Sequence, residues 1–180
     1  VSTTSVDGTR RLAAALADLI RPGDLIVLCG DLGAGKTAFT QGLGAALGVE
    51  VPITSPTFTL ANRYPGALTV HHLDVYRLVH IDEVADLGLH ELVDDASVTV
   101  VEWGDAIAGA LPGGFLEVRL LLGDRPDDRQ AEFRTVGTEW ADREPAASAD
   151  RGSLHRDGHA GSGRRSGGRA DERGRHPGAG

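Results

Sequence analysis

A chain of 180 residues that is 41% hydrophobic is long enough for one sizeable core, and a formal net charge of −8 argues against a protein that coats nucleic acid through its own basic surface. The single cysteine, Cys29, excludes an internal disulfide, and no apolar run approaches the ~20 residues that span a bilayer. No apolar stretch follows a basic start near the first residue, so no signal peptide is read and a soluble cytoplasmic protein is expected.

Thr9 reads as the N-cap of a helix over Arg10–Ile20, in which Leu12, Leu16, Leu19 and Ile20 make an apolar stripe. Pro22-Gly23-Asp24 is a turn. The run Leu25-Ile26-Val27-Leu28-Cys29 is continuously apolar, as expected of a parallel strand covered on both faces. Directly after it, Gly30-Asp31-Leu32-Gly33-Ala34-Gly35-Lys36-Thr37 fits G-x-x-x-x-G-K-[ST], the phosphate-cradling P-loop. Thr37–Leu47 then reads as a helix closed by Gly48. Gly33 and Gly35 let backbone N–H groups turn inward around phosphate oxygens, and the helix N-terminus adds partial positive charge there. Lys36 would reach the β- and γ-phosphates, and the Thr37 hydroxyl would hold Mg²⁺. Lys36 is the only lysine in the chain, whose other seventeen basic residues are arginine. A nucleoside triphosphate is the expected ligand. With no second lysine, the N-K-x-D loop by which GTPases select guanine is excluded, so ATP is expected over GTP.

Val49–Ile53 leads into Thr54-Ser55-Pro56-Thr57-Phe58, a hydroxyl-rich loop placed where P-loop proteins sense the terminal phosphate. Ser55 and Thr57 are the candidates, with an ordinary hydroxyl-stabilised turn as the other reading. Phe58–Tyr64 and Ala67–Leu73 read as strands joined into a hairpin by Pro65-Gly66. Asp74 falls at or just past the second strand's end, where carboxylates meet the nucleotide's metal. The neighbours His71 and His72 point to opposite faces and lack a Cys/His ligand spacing, so a His metal site is set aside.

Ile81–Leu87 reads as a short helix with Asp82 and Glu83 in its first turn and Gly88 as its stop, and Leu89–Leu92 as one further turn. Ser97–Trp103 is a second buried strand, and it delivers Glu102 at its carboxyl end. An acid there binds Mg²⁺, directly or through water, or positions the attacking water. Trp103 reads as a packed aromatic. Asp105–Leu111 reads as a short helix before Pro112-Gly113-Gly114. Phe115–Leu122 and Gln130–Val136 read as strands forming an antiparallel edge, and residues through Trp140 and Arg143 close the domain.

Composition shifts at Pro145. Before it stand eleven basic and 22 acidic residues; after it come seven arginines, four acids, nine glycines and one large aliphatic, Leu154. So little apolar surface cannot offset ordering entropy. Residues 1–144 are therefore read as a P-loop ATPase domain, and 145–180 as a disordered Arg/Gly/His-rich tail, solvated rather than an RNA-touching arm. The expected fold class is α/β: a P-loop NTPase-like, mostly parallel sheet flanked by helices, with an antiparallel edge.

Four segments in order carry a family resemblance: the P-loop, Ser55-Pro56-Thr57-Phe58, His72-Leu73-Asp74-Val75-Tyr76-Arg77-Leu78, and Val101-Glu102-Trp103. Together they resemble the TsaE (YjeE) family, the bacterial P-loop ATPase of tRNA threonylcarbamoyladenosine synthesis, over about residues 5–140. The resemblance implies a small cytoplasmic ATPase that acts with a TsaB–TsaD pair. That pair transfers threonylcarbamoyl to N6 of adenosine 37 in tRNAs reading codons that start with A, and the ATPase resets or activates it. By matching position, Gly33, Ala34, Gly35, Lys36, Thr37 and Ala38 would bind the nucleotide, with Thr57 in a switch-like loop. Thr37 and Glu102 would be Mg²⁺ ligands, and Lys36, Asp74 and Glu102 the catalytic set. The segment Ser5–Thr9 would pack near the adenine end. The resemblance implies contact with tRNA only through the partner complex, and no membrane.

Two other functions compete. A small-molecule kinase would want clustered basic residues to clamp the transferred phosphoryl group, whereas Arg63, Arg77, Arg125 and Arg129 are scattered. A nucleotide-binding interaction module with negligible hydrolysis would have no use for Glu102 and Asp74.

Overall fold

The computed structural model describes residues 1–76, 96–111, 113–140 and 143. The expected helix at 81–87, the turn after it, Arg77, Leu78, Pro112 and the 145–180 segment lie outside the described residues. Among those described, seven strands form one sheet: β1 (Ser2–Thr3), β2 (Leu25–Cys29), β3 (Ala61–Tyr64), β4 (Thr69–Asp74), β5 (Ser97–Glu102), β6 (Phe115–Leu122) and β7 (Arg129–Val136). Their order across the sheet is β1-β7-β6-β2-β5-β4-β3. The middle four, β6-β2-β5-β4, run parallel, while β3, β7 and β1 are antiparallel to their neighbours. The fold is mixed α/β with a mostly parallel sheet and an antiparallel edge at β6–β7, as expected. The β3–β4 hairpin is antiparallel at the other end, and β1 extends the β6–β7 edge through Ser2↔Gln130 and Thr3↔Arg129.

The central strand β2 is buried at every residue, the reason its sequence is apolar without alternation. Its side chains divide between two layers. Ile26 and Leu28 pack with Val98, Val100, Val118, Phe39 and Leu43 beneath helices α1 (Val6–Ala14) and α2 (Lys36–Ala46). Leu25, Val27 and Cys29 pack with Leu73, Val75, Val101 and Ile107 on the other face, where a 3₁₀ segment over Gly104–Ala110 lies. Burying a side chain such as Phe39 contributes ~1.5–3 kcal/mol each. Helix α2 sits close against α1 because Gly42 has no side chain: a Cβ there would collide with the Arg10 carbonyl. Arg10 also donates to Gln41 Oε1 from Nε at 3.2 Å and Nη2 at 2.9 Å.

Three boundaries differ from expectation for identifiable reasons. Helix α1 starts at Val6, not Arg10, because Ser5 is the N-cap, its Oγ accepting the Gly8 N–H at 3.0 Å. Thr9 instead turns inward, 3.0 Å from the Thr3 hydroxyl. After Ala14 the chain tightens into a 3₁₀ turn over Ala17–Leu19, so the single long helix is two short pieces. Strand β3 starts at Ala61 rather than Phe58, because Thr59 and Leu60 donate back to the Pro56 carbonyl and Leu60 takes a left-handed φ of 64°. The β3–β4 hairpin itself pairs as expected, from Ala61↔Leu73 to Tyr64↔Val70. Trp140 is buried and stacks under Arg143, which ion-pairs with buried Asp24. Losing one member of such a pair costs ~3–5 kcal/mol.

Candidate functional site

Parallel strands release their carboxyl ends on the same side, so β2, β4 and β5 bring the P-loop, Asp74 and Glu102 together. Strand β2 ends at Cys29, the loop runs from Gly30, and α2 starts at Lys36. Gly33 and Gly35 have φ of 79° and 104°, values that a residue with a Cβ reaches only with strain. The first-turn N–H groups of α2 belong to Lys36, Thr37 and Ala38 and put partial positive charge at this end of the helix, while in the loop before it the Ala34 N–H donates to the Asp31 carbonyl at 3.1 Å.

The Lys36 ammonium folds back over this loop. Its Nζ donates to the Gly30 carbonyl at 2.8 Å and the Asp31 carbonyl at 3.0 Å, and lies 3.6 Å from the Trp103 ring centre. Burial lowers the Lys36 pKa, while the nearby Glu102, Asp74, Asp105 and Asp31 charges oppose that shift. Trp103 reaches Lys36 because it leaves β5 in a left-handed conformation, φ 63°, and its ring also meets Tyr76 at 4.8 Å.

Glu102 is 3% exposed and its Oε1 is doubly engaged. Thr37 Oγ1 donates to it at 2.8 Å, and His72 Nε2 lies 2.8 Å from the same oxygen. Asp74 is the Cα partner of Glu102 across the β4–β5 ladder. Its Oδ2 accepts from Thr57 Oγ1 at 2.7 Å and Ser55 Oγ at 3.3 Å, and its Oδ1 from the Tyr76 N–H at 2.9 Å. The two hydroxyls are themselves 2.6 Å apart. The structure thus gathers Lys36, Thr37, Thr57, Asp74 and Glu102, drawn from an interval of 67 residues, at one end of the sheet.

Two side chains at this site make contacts that the sequence does not assign, although it raises His72 as a metal ligand, a reading set aside. His72 shares the strand face of Asp74, a relation visible in the alternation of β4, yet its partner Glu102 stands 30 residues away. Arg129, read only as one of several scattered arginines, donates to the Ala34 carbonyl at 2.9 Å and the Gly33 carbonyl at 3.0 Å. It also donates to the Pro126 and Asp128 carbonyls at 2.6 and 2.7 Å, so it ties the β6–β7 loop to the outside of the P-loop. Cys29, just before the loop, is sealed: burial, with the Asp105 and Glu117 charges behind it, pushes its thiol up to about 11.

A buried parallel strand, a glycine turn and a helix carrying Lys-Thr at its start define a P-loop protein of the mixed α/β class. The family model for the threonylcarbamoyl adenosine biosynthesis protein TsaE matches residues 3–131. The Bacillus subtilis tRNA threonylcarbamoyladenosine biosynthesis protein TsaE is 40% identical over 140 residues, 77% of this chain and 86% of that protein. The Streptomyces coelicolor protein of the same name is 42% identical over 139 residues, 73% of this chain and 93% of its own length. Among solved structures, Bacillus subtilis YdiB superposes with a TM-score of 0.64 at 34% identity, covering 77% of this chain and 84% of that one. The chain belongs to the TsaE family, which implies a P-loop nucleotide-binding protein in tRNA threonylcarbamoyladenosine biosynthesis.

Proposed function

We propose that this chain is the ATP-binding and ATP-hydrolysing component of the machinery that adds threonylcarbamoyl to N6 of adenosine 37 in tRNAs reading codons that start with A. It would act in the bacterial cytoplasm as a nucleotide-driven switch on a TsaB–TsaD-type complex, meeting tRNA through that complex. The observation that carries the reading is the Thr37–Glu102 hydrogen bond, which joins the helix after the P-loop to the acid at the end of β5.

The donor set fits Mg²⁺. A hydroxyl from Thr37 and the carboxylates of Glu102 and Asp74 offer only oxygen, the preference of a hard divalent cation. Among the described residues no three His, Cys, Asp or Glu side chains gather as a metal centre, so the remaining ligands would be phosphate oxygens and water. When bound, Mg²⁺ neutralises charge on the phosphate oxygens. With a nucleotide bound, Lys36 would give up its two carbonyl partners for phosphate oxygens, a favourable exchange for an ammonium whose burial is otherwise costly. Thr37 and Glu102 hold the metal side. Asp74 orients the attacking water, and the Ser55/Thr57 hydroxyls that bond it tie its orientation to the 54–60 loop.

The test is steady-state ATP hydrolysis by the full chain, alone and with a purified TsaB–TsaD-type complex, with and without tRNA. Low basal turnover that changes on adding the complex and disappears in Lys36→Ala is the expected result. Turnover indifferent to the complex but raised by a small phosphoryl acceptor would replace the switch with a kinase.

A further inference from the structure

His72 is an unusual residue to find in this core. It is fully buried on β4, flanked by the Tyr64 ring at 6.4 Å between centres. Its Nδ1 has no hydrogen-bond partner among the described residues. An imidazole with an unmatched ring nitrogen fills apolar space less well than a leucine of similar size. What it provides instead is Nε2, 2.8 Å from Glu102 Oε1. A carboxylate only accepts, so Nε2 carries the proton and donates. The same Oε1 takes the Thr37 hydroxyl at 2.8 Å. Both donors come from rigid elements on either side of Glu102: Thr37 from the first turn of α2, His72 from the β4 strand paired in parallel with β5. Two donors on one oxygen fix the rotation of the carboxyl group and leave Oε2 for other partners.

We propose that His72 is a positioning residue that aims Glu102 at the metal of the bound nucleotide through its Nε2–H. The inference rests on the Mg²⁺–nucleotide reading of this site and goes beyond it by assigning the group that orients the acid. Outer partners of metal-ligating carboxylates are worth ~10–100-fold in metal affinity or activity when removed. A merely structural histidine would show its loss in melting and leave the metal dependence alone.

The experiment measures binding of adenylyl imidodiphosphate by calorimetry with MgCl₂ and with EDTA, together with thermal melting and kcat and KM, in the full-length chain. His72→Leu should bind the nucleotide as the unmodified chain does in EDTA, lose ~10–100-fold of the affinity gained from Mg²⁺, and lose kcat more than KM. His72→Gln should restore most of that gain, because its amide nitrogen reaches the place of Nε2. His72→Asn, whose amide reaches only the place of Nδ1, should not. Should His72→Leu fail to melt cooperatively, the Gln and Asn variants carry the comparison, since both are polar and close in size. Equal behaviour of those two, or an undiminished Mg²⁺ gain in His72→Leu, would overturn the assignment. Lys36→Ala run in parallel separates the two readings. If the unmodified chain binds the nucleotide no better than Lys36→Ala, the nucleotide site itself is wrong and the role of His72 goes with it.

Discussion

Glu102 and Asp74 stand side by side on neighbouring strands, each 3% exposed, yet they are held in opposite ways. Glu102 is bonded from a helix and a strand, through Thr37 and His72. Asp74 is bonded chiefly from a loop, through Ser55 and Thr57. That loop carries Phe58, 85% exposed, and Leu60 in a left-handed conformation. One carboxylate is therefore built into the scaffold, while the orientation of the other follows a segment with little buried surface. Sites on regular elements hold geometry tightly, and segments with few buried contacts open at low cost. Under the proposed function, the metal-holding half of the site would lie on the rigid part and the responsive half on the loop.

The largest test of that division is Glu102→Ala, expected to lower kcat by ~10²–10³-fold while nucleotide affinity changes less. Titrations that show both falling equally would erase the distinction between holding the metal and holding the nucleotide.

Lys36→Met comes next, with an expected ~10–100-fold loss of adenylyl imidodiphosphate affinity, the worth of one charged hydrogen bond to phosphate. The nucleotide-free chain should respond in the opposite sense. Burial lowers the folded-state pKa of Lys36 below its ordinary 10.5, so between the two values the unfolded chain holds more protons and stability rises with pH. Below that window the buried charge is a full cost. Lys36→Met should then melt higher than the unmodified chain near neutral pH, with the gap narrowing as pH climbs toward 10.5. A lower melting temperature in the variant would mean that the two carbonyl bonds and the Trp103 contact outweigh burial.

Smaller effects sharpen the loop side. Thr57, at 2.7 Å from Asp74, should matter more than Ser55 at 3.3 Å. Thr57→Val is expected to lower turnover about tenfold and Ser55→Ala only a few-fold, since a hydroxyl bond to a carboxylate is worth ~1.5–3 kcal/mol at good geometry. Both should speed amide exchange over residues 55–60 more than in β5. Exchange accelerating equally in β5 would show that the two halves open together.

The smallest expected signal is on the rigid side. Cys29 is fully buried with its thiol raised to about 11, so a disulfide reagent at pH ~8 should leave it unmodified until the chain unfolds. Rapid native-state labelling would show β2 to be more open than the comparison requires.

Much of the site was legible because P-loop chemistry is local. Strand, glycine turn, helix, lysine and threonine are contiguous in the chain, and an acid at the end of a buried strand is visible as Val101-Glu102. Strand β6, Phe115–Leu122, lies where its apolar run predicts. The misread boundaries lie where a local hydrogen bond, from a side chain or from the backbone, took a partner that spacing does not reveal. Thr9 looked like a cap and instead meets Thr3, leaving the cap to Ser5. Phe58 looked like strand and instead belongs to the turn that Pro56 sets up.

The sequence by itself determined that this chain carries a P-loop on an α/β frame, with candidate acids at Asp74 and Glu102, because those features depend on residues adjacent in the chain or periodic along one strand. Only the tertiary structure decided which acid is fixed and which follows a loop, that β1 extends the sheet beyond β7, and that Arg129 grips the P-loop from 95 residues away. It also brought His72 to Glu102. These are contacts between distant segments, and the chain order of a sheet does not specify its spatial order. Strand pairing and helix packing must first be complete before such side chains have partners at all.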